Sequence, residues 1–264
     1  MDLLDLHDLT VTTSTGRTLL DRVSWSLPTG GRLGVVGESG SGKSLTAAAI
    51  LGLLPDGMTA TGQVLLDGTD LLALPERRLR PIRGGQIAMV FQEPLTALDP
   101  LMTVGRQIAG PLRLHRGLRG SAAAAETVRL ARLVRLDDTD RILDSYPWQL
   151  SGGQRQRVAL AMALACEPRI LIADEPTTAL DVTVQAEVLD LLDDLVDRTG
   201  VSLVFVSHDL PVVARVARDL VVMRDGRVVE HAPVATALTH ADHPYTRELV
   251  AAARAGQLPR QETR

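Results

Sequence analysis

At 264 residues with 45% hydrophobic side chains, the chain carries enough apolar material for one large core or for a domain with an inserted subdomain. A formal net charge of −4 argues against a broad cationic surface for nucleic acid, and one cysteine, Cys166, excludes an internal disulfide. The longest unbroken apolar run, 158–166, is far shorter than the roughly 18 residues a membrane span needs, and the acidic start, Met1 to Asp8, lacks the apolar centre of a secretory leader, so a cytosolic placement is expected.

Residues 3–27 alternate apolar and polar positions around Ser14-Thr15-Gly16, which predicts two half-buried antiparallel strands and their turn. Leu33 to Val36 is continuously apolar instead, the pattern of a strand covered on both faces. It runs straight into Gly37-Glu38-Ser39-Gly40-Ser41-Gly42-Lys43-Ser44, which satisfies G-x-x-x-x-G-K-S/T. Gly37, Gly40 and Gly42 allow positive φ and close approach, so backbone N–H groups can face phosphate oxygens, and the Ala-rich segment that follows places a helix N-terminus beneath them. Lys43 then reaches the β- and γ-phosphates, and the Ser44 hydroxyl is the expected Mg²⁺ ligand. Lys43 is the chain's single lysine among 28 basic Lys and Arg residues. A compact ammonium fits a tight phosphate loop where a planar guanidinium does not.

Val64 to Leu66, closed by Asp67-Gly68, predicts another antiparallel strand. Arg77, Arg78, Arg80 and Arg83 read as a solvated face in preference to an anion site. Gln86 to Gln92 is an apolar strand whose end points Gln92 at the edge where ligands of open α/β sheets gather. From about 95 to 145 no strand pattern appears, and Ala122 to Arg135 makes a helix with a charged stripe, read as a wet face of an inserted helical subdomain. Ser151-Gly152-Gly153-Gln154 then opens an Ala-rich helix, a second N-terminus suited to an anion. One triphosphate cannot easily lie on both termini within one monomer.

Ile170 to Ala173 is a buried strand ending in Asp174-Glu175-Pro176. Two carboxylates there suit metal binding, by Asp174, and activation of water, by Glu175, against the plainer reading that they cap the next helix. Asp181 precedes an amphipathic helix from Val182 to Arg198, and a buried strand, Ser202 to Val206, ends at Ser207-His208-Asp209. A histidine at that position serves structure or chemistry equally well. A hairpin follows around Asp225-Gly226, and the tail from about Ala232 is expected to be less regular, ending in a polar frayed segment.

Taken together, Gly37–Ser44, Gln92, 150–154, 170–175, 179–181 and His208 resemble the full ordered motif set of an ATP-binding-cassette ATPase. The resemblance implies an α/β P-loop NTPase core with flanking helices, an N-terminal antiparallel β subdomain and a helical subdomain at about 95–167, all within 1–231, followed by a tail at 232–264. It further implies that Ser151, Gly152, Gly153 and Gln154 of one subunit meet the γ-phosphate held by the loop of another, which accounts for two anion-suited termini. Asp181 then belongs to the nucleotide site, His208 touches the γ-phosphate, Gln92 helps hold Mg²⁺ and couples the site to the permease, and Glu175 is the base. Phe91-Gln-Glu-Pro-Leu-Thr-Ala-Leu-Asp-Pro-Leu-Met-Thr-Val-Gly, Tyr146-Pro-Trp-Gln-Leu-Ser-Gly-Gly-Gln-Arg-Gln-Arg and His243-Pro244-Tyr245-Thr246 resemble the peptide and nickel importer branch.

The expected function is therefore that of an ATP-hydrolysing importer subunit, with ATP and Mg²⁺ bound. Its expected partners are a second ATPase subunit, self or paralogue, two transmembrane permease subunits and, indirectly, an extracytoplasmic solute-binding protein, at the cytoplasmic face of the membrane. No nucleic-acid partner is expected. The rival classes are a soluble cassette ATPase acting on nucleic acid or ribosomes, and an exporter ATPase. Two departures from the family pattern stand out. Residues 8–24 hold no aromatic side chain to stack on adenine, so Arg17 is the expected substitute, and no cysteine follows His243, so no iron–sulphur cluster is expected.

Overall fold

The computed structural model describes residues 2–91, 98–178 and 180–255. Two compact units form, Met1–Pro75 with Leu203–Arg264, and Glu76–Ser202. The first stretch contains β1 (Leu4–Thr13), β2 (Thr18–Leu27), β3 (Arg32–Val36), α1 (Lys43–Ile50), β4 (Met58–Leu66) and β5 (Thr69–Asp70). Next come α2 (Glu76–Leu79), β6 (Ile87–Val90), α3 (Val104–His115), α4 (Gly120–Leu133), α5 (Thr139–Asp144), α6 (Gly152–Leu164), β7 (Ile170–Asp174) and α7 (Val182–Thr199). The chain then adds β8 (Ser202–Ser207), α8 (Leu210–Val216), β9 (Asp219–Arg224), β10 (Arg227–Pro233), α9 (Val234–His240) and α10 (Pro244–Arg254).

In the first unit, an antiparallel sheet runs in the order β2-β1-β4-β5. The expected alternation holds: Leu4, Leu6, Leu9, Val11, Leu20, Val23, Trp25 and Leu27 are all buried. The phase changes between Leu6 and Leu9, where the pairing with β2 shifts register beside Asp8 at φ 47°. β4 begins at Met58, six residues before the strand expected from Val64. Its front half, Met58 to Gln63, pairs with β1 but is largely exposed, so its polar Thr59, Thr61 and Gln63 gave no hydrophobic pattern to read.

β3 lies parallel to both β8 and β9, and every residue of β3 and β8 is buried, as continuous apolar runs require. β9 and β10 form the expected hairpin, turned by Asp225 and Gly226 at φ 50° and 76°. The tail departs from expectation, because 234–254 is mostly helical. Pro244 starts α10, the His243 Nδ1 accepts from the Tyr245 N–H at 3.2 Å as its cap, and Tyr245, Leu249 and Val250 are buried along one stripe. Interleaved His, Thr and Ala residues hid that stripe.

In the second unit, β6 and β7 pair in parallel from Ile87↔Ile170 to Val90↔Ala173. Arg80 and Arg83 of the expected wet face do pair locally, with Glu76 at 3.3 and 2.8 Å. The α4 stripe is more than a wet face. Both Glu126 oxygens accept from Arg129 at 2.8 Å, and Oε1 also accepts from Arg116 at 2.8 Å, while Arg116 donates to the Ala165 carbonyl at 3.1 Å just beyond α6. Those hydrogen bonds, Arg129's first, draw the Glu126 carboxyl down to about 2 against the opposing effect of burial. Cys166 donates to the Pro111 carbonyl at 3.5 Å, and burial raises its thiol, as befits an inert side chain.

Candidate functional site

The phosphate loop leaves β3 at Val36, which stands opposite Ser207 of β8, so Gly37 and His208 emerge from neighbouring strand ends at one sheet edge. The loop's glycines have different duties. Gly40 and Gly42 take φ 81° and 103°, as expected, whereas Gly37 stays outside the left-handed region and is required for space, since a Cβ there would run into the Met223 carbonyl oxygen. Gly42 is the N-cap of α1 and provides no side-chain cap.

Lys43 is 5% exposed, and its Nζ donates to the carbonyls of Gly37 and Glu38 at 2.7 and 2.8 Å. An ammonium curled over its own loop is placed to move onto an arriving phosphate. Ser41 Oγ is buried without a hydrogen-bond partner, a cost of about 1–3 kcal/mol that a phosphate oxygen would relieve. Ser44, exposed at the start of α1, offers a hard hydroxyl donor of the kind Mg²⁺ takes. Glu38, Ser39 and Gly40 complete the loop, the last two exposed.

The second unit holds the acidic pair Asp174-Glu175 and the Ser151–Gln154 helix start. Asp174 is buried at the end of β7, and Glu175 follows at φ 45°, a left-handed conformation that a residue before proline rarely takes. Thr178 donates its hydroxyl to Glu175 Oε2 at 2.8 Å, which fixes the carboxylate's orientation. Ser151 caps α6 with a reciprocal box: its hydroxyl accepts from the Gln154 N–H at 3.2 Å, and Gln154 Oε1 accepts from the Ser151 N–H at 3.0 Å. Ser151 and Gly152 are exposed, while Gly153 is buried, and a Cβ on it would approach Val184 Cγ1 to 2.6 Å. Asp181 caps α7 by accepting from the Thr183 and Val184 N–H groups at 3.1 and 3.0 Å. Gln92 lies outside the described residues. Among the described residues no group of three His, Cys, Asp or Glu side chains is disposed to hold a metal.

Sequence reasoning missed one contact. Tyr245 in α10 accepts from the Glu38 N–H at 3.1 Å, joining the tail to the phosphate loop across 207 residues. The His-Pro-Tyr-Thr segment was visible as a branch feature, but nothing in it pointed to the loop.

Comparison with known proteins gives a consistent answer. The family model described as "ABC transporter" matches residues 20–178. The chain is 48% identical over 262 residues to a peptidoglycan transport ATP-binding protein of Agrobacterium fabrum, a match covering 97% of this chain and 48% of the relative, so it spans about half that protein's length. It is 49% identical over 233 residues to a probable peptide ABC transporter ATP-binding protein of Sinorhizobium fredii, covering 88% of this chain and 70% of the relative. A solved dimeric ATP-binding cassette in a post-hydrolysis state, bound to ADP and Pi, superposes with a TM-score of 0.77 at 31% identity, covering 88% of this chain and 98% of that one.

Proposed function

The chain belongs to the ABC transporter family of ATP-binding proteins, and from that we propose that it is the ATP-hydrolysing subunit of a membrane importer for peptides or comparably small solutes, nickel among them. The single observation that carries the reading is the phosphate loop: one buried lysine folded onto two loop carbonyls, above an unsatisfied serine hydroxyl and a helix start that has no side-chain cap. Such a loop, with its glycines and helix start, has backbone donors to offer a triphosphate.

In this reading Gly37 to Lys43 cradle the phosphates, and Lys43 exchanges carbonyl partners for phosphate oxygens. His208, at the neighbouring strand end, meets the γ-phosphate. Ser44, Asp174 and Gln92 would hold Mg²⁺, which supplies neutralisation of phosphate charge. Glu175, turned by its left-handed backbone and steadied by Thr178, positions or deprotonates the attacking water. Ser151, Gly152, Gly153 and Gln154 address the nucleotide of a second cassette, a copy or a paralogue, with Asp181 close to that seam. The dimeric cassettes among the solved structures support the pairing.

Two permease subunits couple this motor to cargo captured by an extracytoplasmic binding protein, with the cassettes at the cytoplasmic membrane face. Peptide-transport names among relatives at 43–49% identity support the cargo class, and no helix among the described residues is long and apolar enough to cross a membrane. Substitution Glu175→Gln tests the chemistry. ATP is expected to bind as before while turnover falls by about 10²–10⁴, measured as phosphate release. Undiminished hydrolysis would remove Glu175 from the role of base.

A further inference from the structure

Resting on the nucleotide-binding reading, we propose that Tyr245 is a positioning residue for the phosphate loop, its hydroxyl holding the Glu38 N–H so that the tail sets the loop in the shape that receives ATP. Tyr245 is 2% exposed and ranks among the largest fully buried side chains, and its hydroxyl oxygen lies 3.1 Å from the Glu38 nitrogen. A phenylalanine would fill the same space. The hydroxyl is what a buried tyrosine has to place, and here its partner is the second residue of the loop.

Glu38 is gripped from both sides, its N–H by Tyr245 and its C=O by Lys43 Nζ. When a triphosphate draws Lys43 away from the loop carbonyls, the carbonyl grip loosens and the N–H grip stays. A loop containing two glycines in the left-handed region has conformational freedom to lose, so an anchor that outlasts the exchange limits that loss.

The anchor is itself held. The Arg224 guanidinium sits 4.8 Å from the Tyr245 ring centroid, and Glu230 accepts from the Asp242 and His243 N–H groups at 3.1 and 3.0 Å, fixing the entry to α10. Arg224 and Glu230 belong to the strands of the β9–β10 hairpin, whose Gly226 N–H donates to the Ser41 carbonyl at 3.1 Å. Hairpin, tail and loop thus share one set of hydrogen bonds within the first unit.

Calorimetric titration of ATP into the whole purified chain, parent against Tyr245→Phe, tests the proposal. Loss of one hydrogen bond to the loop predicts a dissociation constant raised about two- to tenfold. An unchanged dissociation constant overturns it, including the case in which only the melting temperature falls, since that is what a purely structural hydroxyl would give. Amide exchange supplies a second measurement in the unaltered protein. The Glu38 N–H is expected to exchange slowly without nucleotide, and rapid exchange there would overturn the proposal without any variant. A parent chain that binds no ATP removes the nucleotide reading and this inference together, whereas a parent that binds ATP as tightly as Tyr245→Phe removes Tyr245 alone.

Discussion

Two helices in this molecule begin with glycine-rich segments suited to anions, and they are built differently. α1 starts at Gly42, in the left-handed region and without a side-chain cap, over a buried lysine. α6 starts at Ser151, whose hydroxyl and the Gln154 amide close a reciprocal cap. The same helix dipole stands behind both. The first terminus has no side-chain cap, while the second has satisfied two of its own groups through its reciprocal box. The glycines divide along the same line. Gly42 answers a backbone conformation, whereas Gly153 answers packing, because a Cβ would crowd Val184 in the following helix. A glycine in a phosphate-binding motif is therefore not always there for its backbone conformation, since Gly153 is also held by packing.

The second terminus is only as fixed as the helices behind it, and the Glu126 cluster is where those helices are tied. Glu126→Gln removes the charge that Arg129 and Arg116 share, with an expected loss on the order of 1–3 kcal/mol at pH 7, the lower end following from the partly exposed arginines. The pH dependence has a definite sign. The folded carboxyl sits at about 2, below its ordinary 4.5, so its contribution is present above about pH 4.5 and is lost as pH falls toward 2. Urea midpoints of parent and variant should differ at pH 7 and converge as pH drops through that window. A gap that persists at low pH would mean that the glutamine disturbs packing instead of charge.

Ser151→Ala is a smaller change with a sharper reading. Losing an N-cap hydroxyl costs about 1 kcal/mol, or a few degrees in melting temperature for a chain of this size. If α6 addresses a partner's nucleotide, ATP binding by the isolated chain stays at the parent value while turnover falls. Weakened binding in the isolated chain would place Ser151 on its own subunit's nucleotide and erase the distinction between the two termini.

Much of this arrangement was legible in the sequence because it rests on local patterns. Continuous apolar runs gave β3, β7 and β8, alternation gave β1 and β2, and Asp225-Gly226 gave the hairpin turn. What escaped notice depends on partners distant along the chain. The front of β4 is polar and gains its place by pairing with β1, and α10 buries Tyr245 through a stripe that composition conceals. Glu126 read as solvated because its arginine partner at 116 lies just past the end of another helix and both sit among many charges. The backbone at Glu175 is half legible in the sequence, since a residue before proline avoids the α region, and the structure adds the positive φ.

The smallest expected effect concerns the far end of the nucleotide. If the loop secures the phosphates, residues 8–24 still provide no ring for the base, and the turn of the first hairpin presents Arg17 at an exposed tip. That tip is well held: the Arg17 N–H donates to Thr13 Oγ1 at 3.1 Å, and its carbonyl accepts from the Thr13 N–H at 2.9 Å. A guanidinium so placed can lie flat on an adenine for about 0.5–1 kcal/mol, so Arg17→Ala should weaken ATP binding about two- to fivefold. Inorganic tripolyphosphate separates the two ends of the site, since it uses the loop and has no base. Its affinity should be the same for parent and variant, and an equal loss for both ligands would show Arg17 acting as a general positive charge. If neither ligand is affected, another group holds the base, and the division between a phosphate end built by glycines and a base end built by arginine fails at its second half.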